Sequence, residues 1–173
     1  MNRSVEQVAK ELAGVLEQHT ALLVSLHATV EEKLDAMRRA DADRMVTASA
    51  REGELSGRIT KLDRRRHTIV SELCGLVDFP PVRNPSDITL RALADRLEPV
   101  IRQRLMKLAA TLREKMLAVA EANRVVEMVS HAMSDYFKEL FSIIARDDES
   151  PTTYSSRGRS SEQGNVRVQD AVV

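Results

Sequence analysis

The side chains able to act as nucleophiles, bases or metal ligands are few. They are His19, His27, His67, His131 and Cys74. A zinc site needs three or four such ligands gathered at one point. His67 and Cys74 stand seven residues apart and share a helix face, but two donors do not make a site. His19 falls on an apolar stripe and reads as a core-edge side chain. His27 lies eight residues further on, beyond a shared turn. There is no glycine-rich phosphate loop, no G-x-S-x-G and no H-E-x-x-H. The residues therefore predict a protein that is not an enzyme, with no cofactor and no metal.

Two other groups carry chemistry of recognition. Lys61 and the run Arg64, Arg65, Arg66 and His67 resemble a nucleic-acid patch in charge alone. Asp63 and Glu72 flank the run and no aromatic residue interleaves it, so a solvated helix face explains it better. Arg66 sits at a seam position, where it can snorkel or pair with a carboxylate of a neighbouring helix. The aromatic cluster is more informative. Tyr136, Phe137 and Phe141 belong to a chain with only three Phe, two Tyr and no Trp. With Ile143 and Ile144, which follow at once, and with Met133 and Leu140, they either plug one end of a bundle or form an exposed apolar end that accepts an amphipathic partner helix.

The elements that must position these groups are helices. The 173 residues suffice for one domain, 43% are hydrophobic, and 26 basic residues balance 26 acidic ones. No global field draws the chain to nucleic acid or an anionic membrane. Scarce rings suggest long helices packed in thin aliphatic seams. Six Gly and five Pro encode few turns, and β-hairpins are close to excluded. One cysteine forbids an intrachain disulfide. Residues 1–12 lack the apolar core of a signal peptide, and no apolar run is long enough to span a membrane, so a cytoplasmic location is expected.

Ser4 is the expected N-cap of a first helix with apolar positions at Val8, Leu12, Val15, Leu22, Leu26, Val30, Leu34 and Met37. Asp41 to Asp43 marks a kink or a restart, since Asp can cap a new helix. Leu55, Ile59, Leu62, Arg66, Ile69, Leu73 and Leu76 form a second stripe, weakened but not broken by Gly53 and Gly57. Three prolines between 80 and 85 end it within a break at 78–86. Ser86 is the expected cap of a short helix carrying Leu90, Leu93 and Leu97. Pro99 then kinks that helix or opens the next.

The last helix is the most periodic. Leu105, Leu112, Val119, Val126, Met133 and Leu140 are spaced by seven, with a companion row at Ala109, Met116, Asn123, Ser130, Phe137 and Ile144. A buried Asn123 would fix register; an exposed one would face a partner. From Pro99 to Arg146 the helix would span roughly 70 Å and must lie against the others. The expected fold is all-α, a long antiparallel helical hairpin or bundle over 1–146 with coiled-coil-like seams. Residues 147–173 read as a disordered, partner-binding tail.

In that tail, Pro151-Thr152-Thr153-Tyr154-Ser155-Ser156-Arg157-Gly158 resembles the P-x-x-Y-(G/S)-x-x-G element of FlgN-type flagellar export chaperones. Asn123-Arg124 is similar to that family's Asn-centred segment. Val166-Arg167-Val168-Gln169-Asp170-Ala171 resembles its apolar-Asp-Ala ending, and Asp41-Ala42-Asp43 fits its early acidic turn. Ser155 departs from the usual Gly after the Tyr, and the Pro80-Pro81 loop is heavier than the family's. The resemblance implies a chaperone that holds the C-terminal segments of hook-associated proteins, prevents premature assembly and delivers them to the type III export gate and its ATPase complex. It implies partner contacts at Met133, Tyr136, Phe137, Leu140, Phe141 and Ile144, with Tyr154 and Gly158 in the tail. Neither nucleic acid nor membrane insertion is expected, and the chain would be a monomer or weak homodimer. The alternative is a structural coiled-coil scaffold that self-associates through its seams.

Overall fold

The computed structural model describes residues 3–80 and 89–147. Among them are four helices, α1 (Val5–Arg38), α2 (Ala42–Leu76), α3 (Leu90–Ala94) and α4 (Pro99–Asp147), and no strand. The chain divides into two compact units, 1–130 and 131–173.

In the first unit, local chemistry starts and stops each helix. Ser4 Oγ accepts from the Gln7 N–H at 3.2 Å, and the Gln7 side chain accepts from the Ser4 N–H at 3.1 Å. This reciprocal pair satisfies two orphan donors of the first turn. At the other end Ala40 takes a positive φ of 53°. Its N–H bonds Met37 O at 3.1 Å, and the Asp41 N–H reaches back to Ala36 O at 2.9 Å. These are the two bonds that close a helix through a left-handed residue, here with Ala where Gly is usual. Asp41 then caps α2, accepting from the Arg44 N–H at 3.0 Å. The expected break at 41–43 is thus a full restart. The α2 end repeats the device, with Asp78 at φ 51° and the Phe79 N–H on Cys74 O at 3.0 Å.

α1 and α2 form an antiparallel hairpin. Its ion pairs ladder in opposite senses along the two helices: Lys33 with Glu52 at 3.0 Å, Arg65 with Glu11 at 2.8 Å, Arg3 with Glu72 at 2.9 Å. The stripe expected on α1 is buried throughout, from Val8 (0% exposed) to Met37, with His19 among its members. α1 buries fifteen of its 34 residues and α2 five of its 35. That asymmetry makes α1 the central helix, packed on more than one side, and α2 an outer one.

The α2 stripe needs correction. Leu55, Ile69 and Leu73 are buried, Ile59 and Leu62 are half-buried, and Leu76 is exposed. Val70, outside the expected stripe, is buried beside Ile69 in the sequence. Leu76 is the last helical residue, where the chain already turns away.

From Pro81 to Ser86 the predicted break lies outside the described residues, as does the Ser86 cap. Within them, Thr89 caps α3 by accepting from the Ala92 N–H at 3.2 Å. Leu93, Ala94 and Leu97 are buried. Arg96 donates to Asp78 O at 3.0 Å and lies 5.2 Å from the Phe79 ring centroid, tying this turn to the α2 end. Pro99 opens α4, where its missing N–H is no loss. Arg104 pairs with Glu17 at 3.0 Å, which brings the start of α4 alongside α1.

Within 99–130 the row Leu105, Leu112, Val119 and Val126 is buried as expected. The companion row is not the expected one. Ala109 is half-buried, but Met116, Asn123 and Ser130 are exposed. The covered partners are Ile101, Leu108, Lys115, Ala122 and Val129, three residues rather than four beyond the main row. Lys115 hides the pattern in the sequence. Its stem is partly covered while its amine reaches Glu114 at 2.8 Å. Asn123 therefore does not set register from a buried position.

Candidate partner-binding helix

The second unit contributes the described residues 131–147, the C-terminal part of α4. Successive side chains on a helix turn by about 100°. On that wheel Ile143, Tyr136, Leu140, Met133, Ile144, Phe137 and Phe141 follow one another around an arc of about 160°. Ser134, Lys138, Ser142, Asp135 and Glu139 fill the rest with Ala132 and Ala145. Lys138 and Asp135 pair at 3.0 Å on this polar side, and Ser142 Oγ donates to Glu139 O at 2.8 Å.

The apolar arc is uncovered. Tyr136 is 60% exposed, Phe141 68% and Ile144 59%. Phe137, Leu140 and Ile143 are exposed as well, and Met133 is half-buried. The Tyr136 and Phe137 rings stand 6.1 Å apart at 59°, a tilted pair within the stripe. Elsewhere among the described residues large exposed apolar side chains are scattered, as at Val24, Val46 and Val100. Six of the thirteen fall between 136 and 144. Single exposed apolar residues are ordinary, whereas a continuous stripe is not.

The structure thus brings the six expected helix residues onto one face. Ile143, which follows the rings in sequence, belongs to the same face although it is not among the six expected contacts. Its signal was present in the wheel position, seven residues beyond Tyr136. Tyr154 and Gly158 lie outside the described residues.

The polar chemistry is dispersed. His19 is 6% exposed and burial pushes its imidazole below the ordinary value, with Asp63 opposing that shift and Arg66 adding to it. His67 Nδ1 lies 2.8 Å from Asp63 O. Burial pushes the Cys74 thiol up, away from the reactive thiolate. No group of three or more metal-ligating side chains occurs among the described residues. The basic run is compensated in part. Arg65 bonds Glu11 of α1, and Arg66 bonds Asp63 of its own helix at 3.0 Å rather than a neighbouring helix. Bonds from Arg65 and then Arg3 hold the Glu11 carboxyl below the usual carboxylate range. No helix among the described residues is long and apolar enough to cross a membrane.

Comparison with protein families matches residues 1–162 to the family described as FlgN protein. The match includes residues 151–158 and stops before 166–171. No curated protein matches the chain, and no solved structure does.

Proposed function

The chain belongs to the FlgN family of flagellar chaperones, and from that premise we propose that it is a cytoplasmic type III export chaperone whose client site is the stripe Met133, Tyr136, Phe137, Leu140, Phe141, Ile143 and Ile144. The single observation that carries this is a seven-residue apolar face left open on a helix whose earlier turns are buried.

The clients are the C-terminal segments of hook-associated proteins. Such a segment is amphipathic and self-associates when free. Laying its apolar face along the α4 stripe covers both without ATP, since burial alone supplies the driving force. Aromatic anchors suit the task because rings bury large area at low entropic cost. Burial of about 1,000 Å² would leave micromolar to nanomolar affinity after ordering of the client, weak enough for release at the export gate. Tyr154 and Gly158 form a second contact, with the gate and its ATPase complex.

Calorimetric titration with those C-terminal segments tests the proposal. Saturable one-to-one binding with a negative heat-capacity change is expected. Phe137→Ser with Phe141→Ser should abolish it while circular dichroism still reports a helical protein. Binding that survives the double change puts the site elsewhere.

One observation favours a second possibility. The heptad row continues through Met133 into exposed Leu140, as a seam awaiting a second copy would. Light scattering separates the two. A chain of about 19 kDa in solution, or a weak dimer that clients dissociate, fits the chaperone; a tight dimer that excludes clients fits the scaffold.

A further inference from the structure

The ladder of ion pairs between α1 and α2 has a gap. Along α2 the arginines Arg44, Arg51, Arg58 and Arg65 are spaced by seven. Three of them reach acids of α1. Arg44 pairs with Asp35 at 3.3 Å, Arg51 with Glu32 at 3.6 Å and Arg65 with Glu11 at 2.8 Å. Arg58 makes no ion pair among the described residues. The cause lies on α1, where Glu11, Gln18, Ser25 and Glu32 are likewise spaced by seven. The ends of that row are acids and its two middle places are neutral. Arg58 falls midway between Arg51 and Arg65, so the antiparallel register sets it across from the middle of α1. Residues 18–30 there contain no Asp, Glu, Lys or Arg. Glu17, just before them, is taken by Arg104 of α4 at 3.0 Å.

The gap is wider than one side chain. Lys61 and Arg64 are exposed, as Arg58 is, and neither makes an ion pair among the described residues. Steps of three set these cations on successive turns of α2. Asp63 is taken by Arg66 and His67, and Glu54, one turn before Arg58, is exposed and makes no ion pair with it. On the α1 wheel Gln18, Ala21 and Ser25 fall within the arc that Glu11, Glu32 and Asp35 mark out. Gln18 and Ala21 are exposed and Ser25 is half-buried. The exposed face of a helix ordinarily carries charge. An uncharged exposed face beside cations that lack partners has the layout of an interface, whose centre is depleted of charge and whose rim is polar.

We propose that this surface docks an acidic amphipathic helix of a partner protein, with carboxylates on successive turns against Arg58, Lys61 and Arg64 and an uncharged face over Gln18, Ala21 and Ser25. Carboxylates three or four residues apart on a helix lie one turn apart, which is the spacing of Arg58 and Lys61. A uniform polyanion fits less well. Glu11, Glu32 and Glu54 bracket the cations, so a run of phosphates would meet carboxylates at its ends. Neither α1 nor α2 carries an aromatic ring on which a base could stack. All the residues invoked lie between 11 and 65, so failure here leaves the client site on 133–144 untouched, and the converse holds.

The test is titration of the full-length protein with two synthetic helices, followed by amide NMR at Gln18, Ala21, Ser25 and Arg58. One peptide has an Ala and Leu face with Glu on three successive turns of one edge. The other has Gln at those places. The expected result is saturable shifts at these amides and about tenfold tighter binding of the Glu peptide, as three exposed ion pairs together supply. Added salt should shrink the preference. Arg58→Gln with Lys61→Gln should erase it. Arg113→Gln with Arg124→Gln removes the same charge from α4 and should leave it intact. Gln18→Glu gives Arg58 an acid of its own chain and should weaken the Glu peptide about threefold. Equal binding of the two peptides, no saturable shift, or a preference that survives the loss of Arg58 and Lys61 overturns the proposal. Tighter binding of a short DNA duplex, or of phosphatidylserine vesicles, at the same amides also overturns it and assigns the cations to nucleic acid or to a membrane. Should Arg58→Gln with Lys61→Gln fail to fold, Gln18→Glu decides: weaker binding supports the site, and unchanged binding overturns it.

Discussion

The two stretches of α4 run on one periodicity and meet opposite fates. Leu105, Leu112, Val119 and Val126 are 1–9% exposed, whereas Leu140, two heptads beyond Val126 on the same row, is 36% exposed. The composition changes with the burial. The covered stretch 99–130 has no ring, and the open one carries Tyr136, Phe137 and Phe141. A covered seam between helices needs side chains that interdigitate in a narrow space, which aliphatic residues do well. An open stripe that must capture a partner gains more from a few rigid, high-area anchors. Periodicity tells which way a row points; it does not tell whether anything lies opposite.

That contrast breaks most visibly under truncation. Leu105→Ala should lower the unfolding free energy by about 2–5 kcal/mol, read by chemical denaturation, because it empties a fully packed position. Phe137→Ser with Phe141→Ser should lower it by no more than about 0.5 kcal/mol per site, although the residues removed are larger. A loss on the scale of Leu105→Ala would mean that the stripe is covered in the free protein.

Acid should act on the first stretch and its neighbours. The His19 imidazole is neutralised by burial, with Asp63 and Arg66 of α2 and Arg113 of α4 sharing its cavity. Its folded value lies below the ordinary 6.5, so the unfolded chain takes the proton first. Stability is therefore complete above 6.5 and declines as pH falls below it. Glu11 adds a second decline. Its carboxyl is depressed by Arg65 and then Arg3, so that contribution holds above the ordinary 4.5 and is lost as pH falls toward the depressed value. In denaturation series at pH 8, 5.5 and 4, His19→Leu should flatten the upper step and Glu11→Gln the lower. Phe141→Ser should alter neither.

The smallest effect is the sharpest check on register. Asn123 is exposed on the row that the heptad count pairs with Leu105. Asn123→Ala should change stability by less than about 0.5 kcal/mol and leave light scattering unchanged. A change in mass would restore Asn123 as a register-setting residue at an interface.

The fold was largely legible in the chain. Ser4 with Gln7, Asp41 and Pro99 start helices through local hydrogen bonds or a fixed φ, and such chemistry depends on neighbours in sequence alone. Every residue of the expected α1 stripe is buried because that helix is central, and for the same reason Leu16 and Leu23, outside the stripe, are buried too. Outer faces were less legible. Leu76 is exposed at the α2 end, Val70 is buried outside the expected stripe, and Lys115 concealed the row that packs with Leu105. These depend on how far a neighbouring helix reaches and whether a long polar side chain can lie flat beneath it, which no single segment encodes. The candidate site divides in the same way. Sequence by itself determined that Tyr136, Phe137, Leu140, Phe141 and Ile144 share a face, since helical geometry is local. Only tertiary structure decided that the side chains of that face are exposed and that His19 is buried with its Nδ1 unpartnered. Burial depends on what distant residues place opposite, and volume on how their side chains fit.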